Sequence, residues 1–232
     1  MERGFERYWG LLDGCCNFFN PVQRDPAFKG ARVRVLGEGR KPLKSFPDDF
    51  YMTDAITDHA VNSIRDFARG DAPFLVHVCY TAPHYPLHAK PEDIAKYRGK
   101  YKIGWDKIRE QRFKRMNEMG IIGPKHKLTQ RASKAWDDLT DEQKDAEDLK
   151  MAVYAAMIDR VDQNLDRLFA KVKELGEWDN TLIMFLTDNG ACPEQPNTTP
   201  DIPPGPVESY RTVSVGWANA SNTPYRKFKS TD

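Results

Sequence analysis

The chain has 232 residues, which suits one large domain or two small ones with a buried core. Its 40% hydrophobic and 11% aromatic residues and its net charge of +1 exclude a chain that is disordered throughout. No run approaches the ~18 apolar residues of a membrane span, and the N-terminus does not resemble a signal peptide. Four cysteines without any Cys-x-x-Cys pair exclude a disulfide framework and a zinc ribbon.

The first 80 residues predict a short strand, a helix and a buried strand. Alternating residues predict the short strand over 32–36. Thr53 is expected to cap a helix whose apolar face includes Ile64, with Gly70 as its stop signal. The nearly continuous apolar run 73–80 is typical of a strand that is covered on both faces. The two prolines of 81–88 then predict a loop.

The next segment is strongly charged. Residues 96–127 contain eleven Lys or Arg against three acidic residues, with aromatic residues between them. Nucleic-acid binding is one interpretation of this pattern. We favour the other, a solvent-exposed helix over about 106–119 that the acidic stretch 137–148 neutralises. No nucleic-acid partner is therefore predicted.

A long helix and a second buried strand follow. Thr140 and Gln143 fit a capping box, and apolar residues then recur at steps of three and four from Met151 to Leu175, before Gly176. Because no second helix of this kind is present, we expect this one to pack on a sheet. Residues 181–187 resemble a buried strand. Alternating strands and helices predict an α/β fold with a mainly parallel sheet flanked by helices.

Two polar clusters follow the two predicted buried strands, where ligands bind in open α/β sheets. Asp188 and Asn189 offer the oxygen ligands that Ca²⁺ prefers, with Mg²⁺ as the weaker alternative. Asp-Asn-Gly is also a common turn, and two ligands are too few for a calcium ion on their own. The metal interpretation and the turn interpretation both remain open on spacing alone.

The five histidines differ in their expected surroundings. His84 lies in the loop after the first buried strand, where it could act as an acid or a base or merely bind backbone. His77 is predicted to lie in the core or on the strand face. His59 and His126 are expected to be solvated, and His88 is left undecided.

Several blocks of the sequence resemble the type I sulfatases, within the alkaline-phosphatase-like superfamily, and most closely the bacterial arylsulfatases. Their order and spacing carry the resemblance over almost the whole chain. The matching blocks are Gly4-Phe-Glu-Arg-Tyr-Trp-Gly10, Phe18-Phe-Asn-Pro21, Tyr80-Thr-Ala-Pro-His84-Tyr-Pro-Leu87, Tyr97-Arg-Gly-Lys-Tyr101, Gly104-Trp-Asp-Lys-Ile-Arg109, Met151 to Asp162, Leu186-Thr-Asp-Asn-Gly190 and Trp217 to Arg226.

The resemblance implies a role for particular residues. His84 would contact the sulfate ester and stabilise or protonate the leaving group. Asp188 and Asn189 would be two ligands of a Ca²⁺ ion that binds sulfate oxygens. Lys229 would bind the sulfate, because it stands three residues after Arg226, where the family has its lysine. Sulfate ester cleavage places negative charge on oxygen atoms, and a cation, a lysine and a histidine stabilise such charge.

Other blocks of the family are not found in this sequence. The family's nucleophile is a formylglycine made from the Cys of Cys-x-Pro-Ser-Arg, and none of the four cysteines stands in that sequence. The family's Asp-Asp, Gly-Lys-Trp-His and Glu-Gly-Gly blocks are not found either. We therefore expect residues 1–232 to be a partial catalytic domain that lacks the first strand and the C-terminal part, with a charged helical insertion at about 90–140. We also expect the isolated chain to be marginally stable, prone to aggregation and inactive.

The resemblance therefore predicts a sulfuric ester hydrolase, with a formylglycine nucleophile outside this chain. The alternatives are a phosphodiesterase or phosphonate hydrolase of the same superfamily, or an inactive fragment that only binds a metal or an anion. The family's habit implies a periplasmic or secreted protein. The substrate is expected to be an aryl, polysaccharide or lipid sulfate, and the oligomeric state is left open.

Overall fold

A computed structural model describes residues 4–26, 33–193 and 197–229. Its strands and helices, in chain order, are β1 (Trp9–Leu11), β2 (Leu36–Glu38), β3 (Lys41–Leu43), α1 (Met52–Phe67), α2 (Pro91–Ala95), α3 (Gly104–Glu118), α4 (Asp141–Glu174) and α5 (Val215–Asn222). Short 3₁₀ turns lie at Trp136–Asp138 and Trp178–Asn180.

The three strands form one small antiparallel sheet in the order β1-β2-β3. Trp9 lies opposite Glu38, and Leu36 lies opposite Leu43. The strand predicted over 32–36 is wrong in its position, because pairing begins at Leu36 and Arg32 lies outside the described residues. Leu36 is buried, so the sheet adds one face to the hydrophobic core.

Helices α1 and α4 pack against each other around a partly buried polar contact. Asp54 of α1 accepts hydrogen bonds from Arg160 (2.6 and 2.7 Å), Asn164 (2.8 Å) and Lys90 (3.0 Å). Burial tends to raise the pKa of the Asp54 carboxyl, but the hydrogen bonds from Arg160, Asn164 and Lys90 outweigh it and lower the pKa to about 2. The helix begins at Met52, so the predicted cap, Thr53, lies inside it, and Tyr51 stands at its N-cap without a side-chain hydrogen bond.

The long helix predicted after residue 140 is confirmed as α4. The side chain of Thr140 accepts from the backbone N–H of Gln143, and the side chain of Gln143 accepts from the backbone N–H of Thr140. Gly176, with φ +76°, stands just beyond the helix end, in a conformation that favours glycine.

The packing of α4 differs from the prediction of one narrow stripe on a sheet. Its buried residues include Ala152, Val153 and Met157, whereas Ile158 is exposed. The reason is that helices and loops cover it from more than one side: α1 and α2 lie against it, and Trp217 of α5 donates to the backbone carbonyl of Glu147.

Three tryptophans form the centre of the main core. The ring centroids of Trp105, Trp136 and Trp217 lie 4.9 to 5.6 Å apart. Gly104, with φ +84°, and Gly216 allow this approach, because a Cβ atom added at Gly104 would lie 2.2 Å from Trp136. A Cβ atom at Gly216 would lie 2.6 Å from Trp105.

The two strands predicted over 73–80 and 181–187 are wrong in these described residues, which place no strand in either segment. Val76, Val78 and Tyr80 pack against α1 and α4, while the residues between them are exposed. Leu182, Phe185 and Leu186 are 84%, 78% and 77% exposed. A buried strand needs hydrogen-bonded neighbouring strands and cover on both faces. Here the segment 73–80 is covered on one face, and the segment 181–187 is covered on neither.

The mainly parallel sheet is accordingly not seen in the described ranges. Parallel pairing there is confined to one bridge between His88 and Gly205. The mixture of helices and strands expected for an α/β protein is present, but the sheet is the antiparallel one at the N-terminal end.

Helix α3 matches the predicted charged helix closely. Its ion pairs include Lys107 with Glu110 and Lys114 with Glu118, and its Arg112 donates to the carbonyl of Thr223. These contacts are those of a largely solvent-exposed helix, and the absence of a nucleic-acid partner stays a prediction. No helix in the described ranges has the length and apolarity that crossing a bilayer requires.

Candidate functional site

Two nitrogen atoms from distant parts of the chain meet at the candidate site. Nζ of Lys229 lies 3.2 Å from Nε2 of His84, and both side chains are partly buried. His84 stands in the loop 81–88, whose turn is closed by its backbone N–H donating to the carbonyl of Thr81. Both residues were candidates from the sequence, and the fold brings them into contact.

The hydrogen bonds of His84 assign its ring nitrogens. Nδ1 lies 3.1 Å from the carbonyl oxygen of Tyr85. Because a carbonyl can only accept, Nδ1 carries a proton and Nε2 is left to accept from the Lys229 ammonium. The pair therefore presents one ammonium group and one imidazole nitrogen with a lone pair.

The backbone ties Lys229 to the segment that carries Asp188 and Asn189. The N–H of Lys229 donates to the carbonyl of Ala191 at 3.1 Å. Asp188 and Asn189 lie three and two residues before Ala191, and their side chains are exposed. The turn is stabilised locally by Thr187, whose hydroxyl donates to the Asn189 carbonyl at 2.9 Å.

A third residue, Asn222 at the end of α5, connects the same two segments. Its Oδ1 accepts from the N–H of Ala191 at 3.1 Å, and its Nδ2 donates to the carbonyl of Lys227. Gly190 packs directly against this amide, since a Cβ atom there would lie 2.5 Å from Asn222 Oδ1. No local pattern in the sequence points to Asn222 beyond its place in the block that ends at Arg226.

An N-terminal segment packs beside the loop of His84, since Cys15 lies in one buried cluster with Tyr85. Burial raises the pKa of the Cys15 thiol, and the charges of Arg34 and Lys229 oppose that shift, which places Lys229 within electrostatic reach of Cys15. Arg34 pairs with Asp13 at 2.8 Å, with both side chains largely buried. Sequence reasoning missed this ion pair, because Arg34 lies in a segment that resembled an ordinary strand.

Contacts of Tyr85 also hold the loop 81–88 in place. The hydroxyl of Tyr85 donates to Asp25 at 3.0 Å, and Tyr85 packs with Cys15 and Tyr210. His84 is therefore held between two anchored neighbours, the Tyr85 side chain and the Thr81 turn.

His88, left undecided by the sequence, is fully buried and structural. Its Nδ1 accepts from the N–H of Phe18 at 3.3 Å, and its Nε2–H donates to the carbonyl of Ser209 at 2.6 Å. Burial lowers its pKa to about 4, although the hydrogen bond to Ser209 acts in the opposite direction. The neutral ring thus joins the N-terminal segment to the segment around residue 209.

The other histidines follow the sequence expectations only in part. His126 is exposed, as predicted. His59 is not simply solvated: it is half-buried and stacks on Trp9 at 4.1 Å between ring centroids, and burial lowers its pKa. His77 is exposed rather than in the core, and its Nε2 lies 3.3 Å from the sulfur of Cys79, because the strand predicted there has no outer cover.

The donors of the Asp188 turn fit a hard cation in kind but not in number. A carboxylate and an amide oxygen on adjacent residues suit Ca²⁺. Within the described ranges, no group of three or more His, Cys, Asp or Glu side chains is arranged to hold a metal ion. Cys79 lies near enough to Asp188 for that carboxylate to raise the thiol pKa, after the larger effect of burial. Further ligands would have to come from elsewhere.

Comparisons with known proteins agree on one family. The family model described as Sulfatase matches residues 2–230. The arylsulfatase of Klebsiella aerogenes is 34% identical to this chain, and the match covers 99% of the chain and 52% of that protein. An uncharacterized sulfatase of Schizosaccharomyces pombe is 30% identical, with 98% and 45% coverage. The chain thus spans about half the length of these relatives.

A solved structure is similar over most of the chain. It is Ps i-CgsB, in complex with k-i-k-neocarrahexaose, with a TM-score of 0.50 and 27% sequence identity. The similarity covers 82% of this chain and 33% of that one. By the match of the family model to nearly every residue, and by the identity to its relatives, the chain belongs to the sulfatase family.

Proposed function

We propose that the chain takes part in the hydrolysis of sulfate esters as a portion of a sulfatase catalytic domain. The contact of Lys229 Nζ with His84 Nε2 at 3.2 Å carries this proposal. The Lys229 ammonium is a donor, and His84 Nε2 becomes a second donor once it binds a proton; together, at a partly buried point, they are suited to the oxygens of a tetrahedral anion. In the proposed complex, the sulfate group lies against both nitrogens.

Lys229 has the simpler role in this proposal. Its ammonium donates to a sulfate oxygen and remains charged as negative charge develops during cleavage. The bond from its N–H to Ala191 fixes its backbone, so only the flexible part of the side chain has to be ordered.

His84 handles the proton. Its Nδ1–H is already used by the carbonyl of Tyr85, so Nε2 is the atom that faces the ester. When Lys229 turns its ammonium to the sulfate, Nε2 is free to bind a proton from solvent water. It delivers that proton to the leaving oxygen of the ester as the nucleophile from outside residues 1–232 displaces this oxygen from sulfur. Its anchored loop holds the ring in place for this transfer.

Asp188 and Asn189 are proposed as two oxygen ligands of a Ca²⁺ ion, with Mg²⁺ as the weaker candidate. The choice rests on the donor types, on the resemblance of Leu186 to Gly190 to the family's metal block, and on their backbone link to Lys229. A bound divalent cation would add positive charge beside the sulfate oxygens.

The nucleophile is proposed to come from polypeptide outside residues 1–232. None of the four cysteines precedes Pro-Ser-Arg in the way that formylglycine formation requires in this family. We therefore propose that this chain alone binds sulfate and does not turn over a sulfate ester. The relatives support sulfate esters as the substrate class and leave the aryl and carbohydrate classes both open.

Sulfate binding by the full chain tests the proposal. We expect calorimetry at low ionic strength to detect inorganic sulfate binding that Lys229→Met and His84→Ala each weaken by about tenfold or more. Lys125→Met, a change at an exposed lysine of the loop after α3, is the matched control and should bind like the parent chain.

The outcomes separate the candidate functions. Equal loss in the Lys125 control would mean that binding is unspecific, which contradicts the proposal. Preference for a phosphate diester over sulfate would favour the phosphodiesterase alternative. Hydrolysis of an aryl sulfate by the isolated chain, abolished in His84→Ala, would refute the statement that the nucleophile lies elsewhere.

A further inference from the structure

The side-chain amide of Asn222 bridges the two segments that carry the candidate residues. One segment contains Asp188 and Asn189 and continues to Ala191, and the other contains Lys227 and Lys229. Oδ1 of Asn222 accepts from Ala191 N–H at 3.1 Å, and Nδ2 donates to the Lys227 carbonyl. The backbone bond from Lys229 N–H to the Ala191 carbonyl, 3.1 Å, lies beside it.

These hydrogen bonds connect Ala191 to Asn222 and to Lys229, and Asn222 to Lys227. Ala191 uses its N–H toward Asn222 and its carbonyl toward Lys229, so its peptide units are held on both sides. Asn222 is the last residue of α5, and that helix is anchored in the core by Trp217. The amide therefore holds both segments in a fixed position relative to a rigid helix.

We propose that Asn222 is a positioning residue that sets the Lys229 ammonium relative to the Asp188–Asn189 turn. This inference rests on the proposed function for its consequence in sulfate binding, but its geometric part can be tested alone. Asn222 itself does not touch the proposed sulfate. It acts through the backbone of Ala191 and Lys227.

Gly190 supplies an independent way to disturb the same amide. A Cβ atom at this residue would lie 2.5 Å from Oδ1 and 3.0 Å from Nδ2 of Asn222, so Gly190→Ala must displace the amide. In an Asn222→Ala background the amide is absent, and the same Cβ atom meets no such obstacle. The two substitutions are therefore expected to be non-additive.

The first measurement is amide hydrogen exchange in the full chain. We expect Asn222→Ala to remove the protection of the Ala191 and Lys229 amides, with Gly190→Ala giving the same pattern. Asn117→Ala is the matched control, because Asn117 also lies near a helix end and its Nδ2 donates only within its own helix, to Phe113. Unchanged protection of the Lys229 amide in Asn222→Ala would overturn the inference, whatever the protein binds.

The second measurement is sulfate affinity. Asn222→Ala and Gly190→Ala should each weaken inorganic sulfate binding by about tenfold, and the double variant should be no weaker than Asn222→Ala alone. Asn117→Ala should leave the affinity unchanged even if it lowers the melting temperature. Losses that simply add, or a loss that follows melting temperature across all four variants, would identify a structural role only and overturn the inference.

The two readouts also separate this inference from the proposed function. If the parent chain binds no sulfate while Asn222→Ala still exposes the Lys229 amide, the bridge is supported and the proposed function fails. If Lys229→Met abolishes sulfate binding and Asn222→Ala changes neither readout, the proposed function stands and the positioning role is wrong.

Discussion

The tryptophan core and the segments 73–80 and 181–187 are all rich in apolar side chains but differ in what covers them. Trp217 is fully buried between Trp105 and Trp136, with α4 beside it. Leu182 and Phe185 are mostly exposed. The difference teaches that an apolar pattern specifies a tendency to be buried, while actual burial depends on which other segments supply the opposing layer.

The largest expected effect on stability comes from a substitution in the tryptophan core. Trp217→Ala removes the central ring of the cluster and leaves the Glu147 carbonyl without its indole donor. We expect a loss of about 4 kcal/mol in the free energy of unfolding, measured by urea denaturation with helical circular dichroism. Leu186→Ala, at an exposed apolar residue, should cost less than about 0.5 kcal/mol. Similar losses at both positions would break the comparison.

A change of pH is expected to have an intermediate effect on stability, through the buried His88. The unfolded chain protonates His88 below about pH 6.5, whereas burial delays protonation in the folded chain to about pH 4. The unfolded state therefore binds more protons in this window, so stability falls as pH falls from about 6.5 to about 4, by up to ~3 kcal/mol. Above that window the contribution is constant.

Protonation of His88 has a defined structural consequence. A proton on Nδ1 would face the N–H of Phe18, so that two donors oppose each other inside the core. Denaturation of the parent chain and of His88→Gln across this pH range checks the prediction. An identical slope in both would show that other groups cause the pH dependence.

The smallest effect on stability, and a clear one on solubility, is expected at the exposed segments. Phe185→Lys should change the melting temperature little, because the side chain is 78% exposed. It should raise the concentration at which the chain begins to aggregate, measured by light scattering, since it interrupts a contiguous apolar run. A marked drop in melting temperature would mean that Phe185 is packed in solution, which would contradict its exposure.

Local signals predicted α1, α3 and α4, whereas the short helices α2 and α5 were not predicted. The capping box of Thr140 and Gln143 and the glycine at 176 fix the ends of α4, because these interactions lie within a few residues of each other. Helix α3 likewise matches the segment predicted from its charges. The broad burial of α4 could not be predicted, since it depends on α1, α2 and α5 arriving from elsewhere in the chain.

The sheet and the candidate site could not be predicted from local patterns, because both depend on contacts between distant parts of the chain. The runs 73–80 and 181–187 have strand-like composition, yet strands also need ladder partners that no local pattern supplies. The resemblance named His84 and Lys229, but periodicity carried no information on their contact across 145 positions. Asn222 and the Arg34–Asp13 pair were missed because single polar residues in ordinary surroundings give no signal. The roles of Asp188 and Asn189 stay predictions.

The three clustered tryptophans also give the protein a spectroscopic signal that reports on their packing. Three of its five indole rings lie within 5.6 Å of a neighbouring ring, so their electronic transitions couple. Coupled transitions produce a paired circular dichroism signal that depends on the relative orientation of the rings. That signal reports on one place, the junction of α3, α5 and the start of α4, and loosening there would extinguish it while the helical signal persisted.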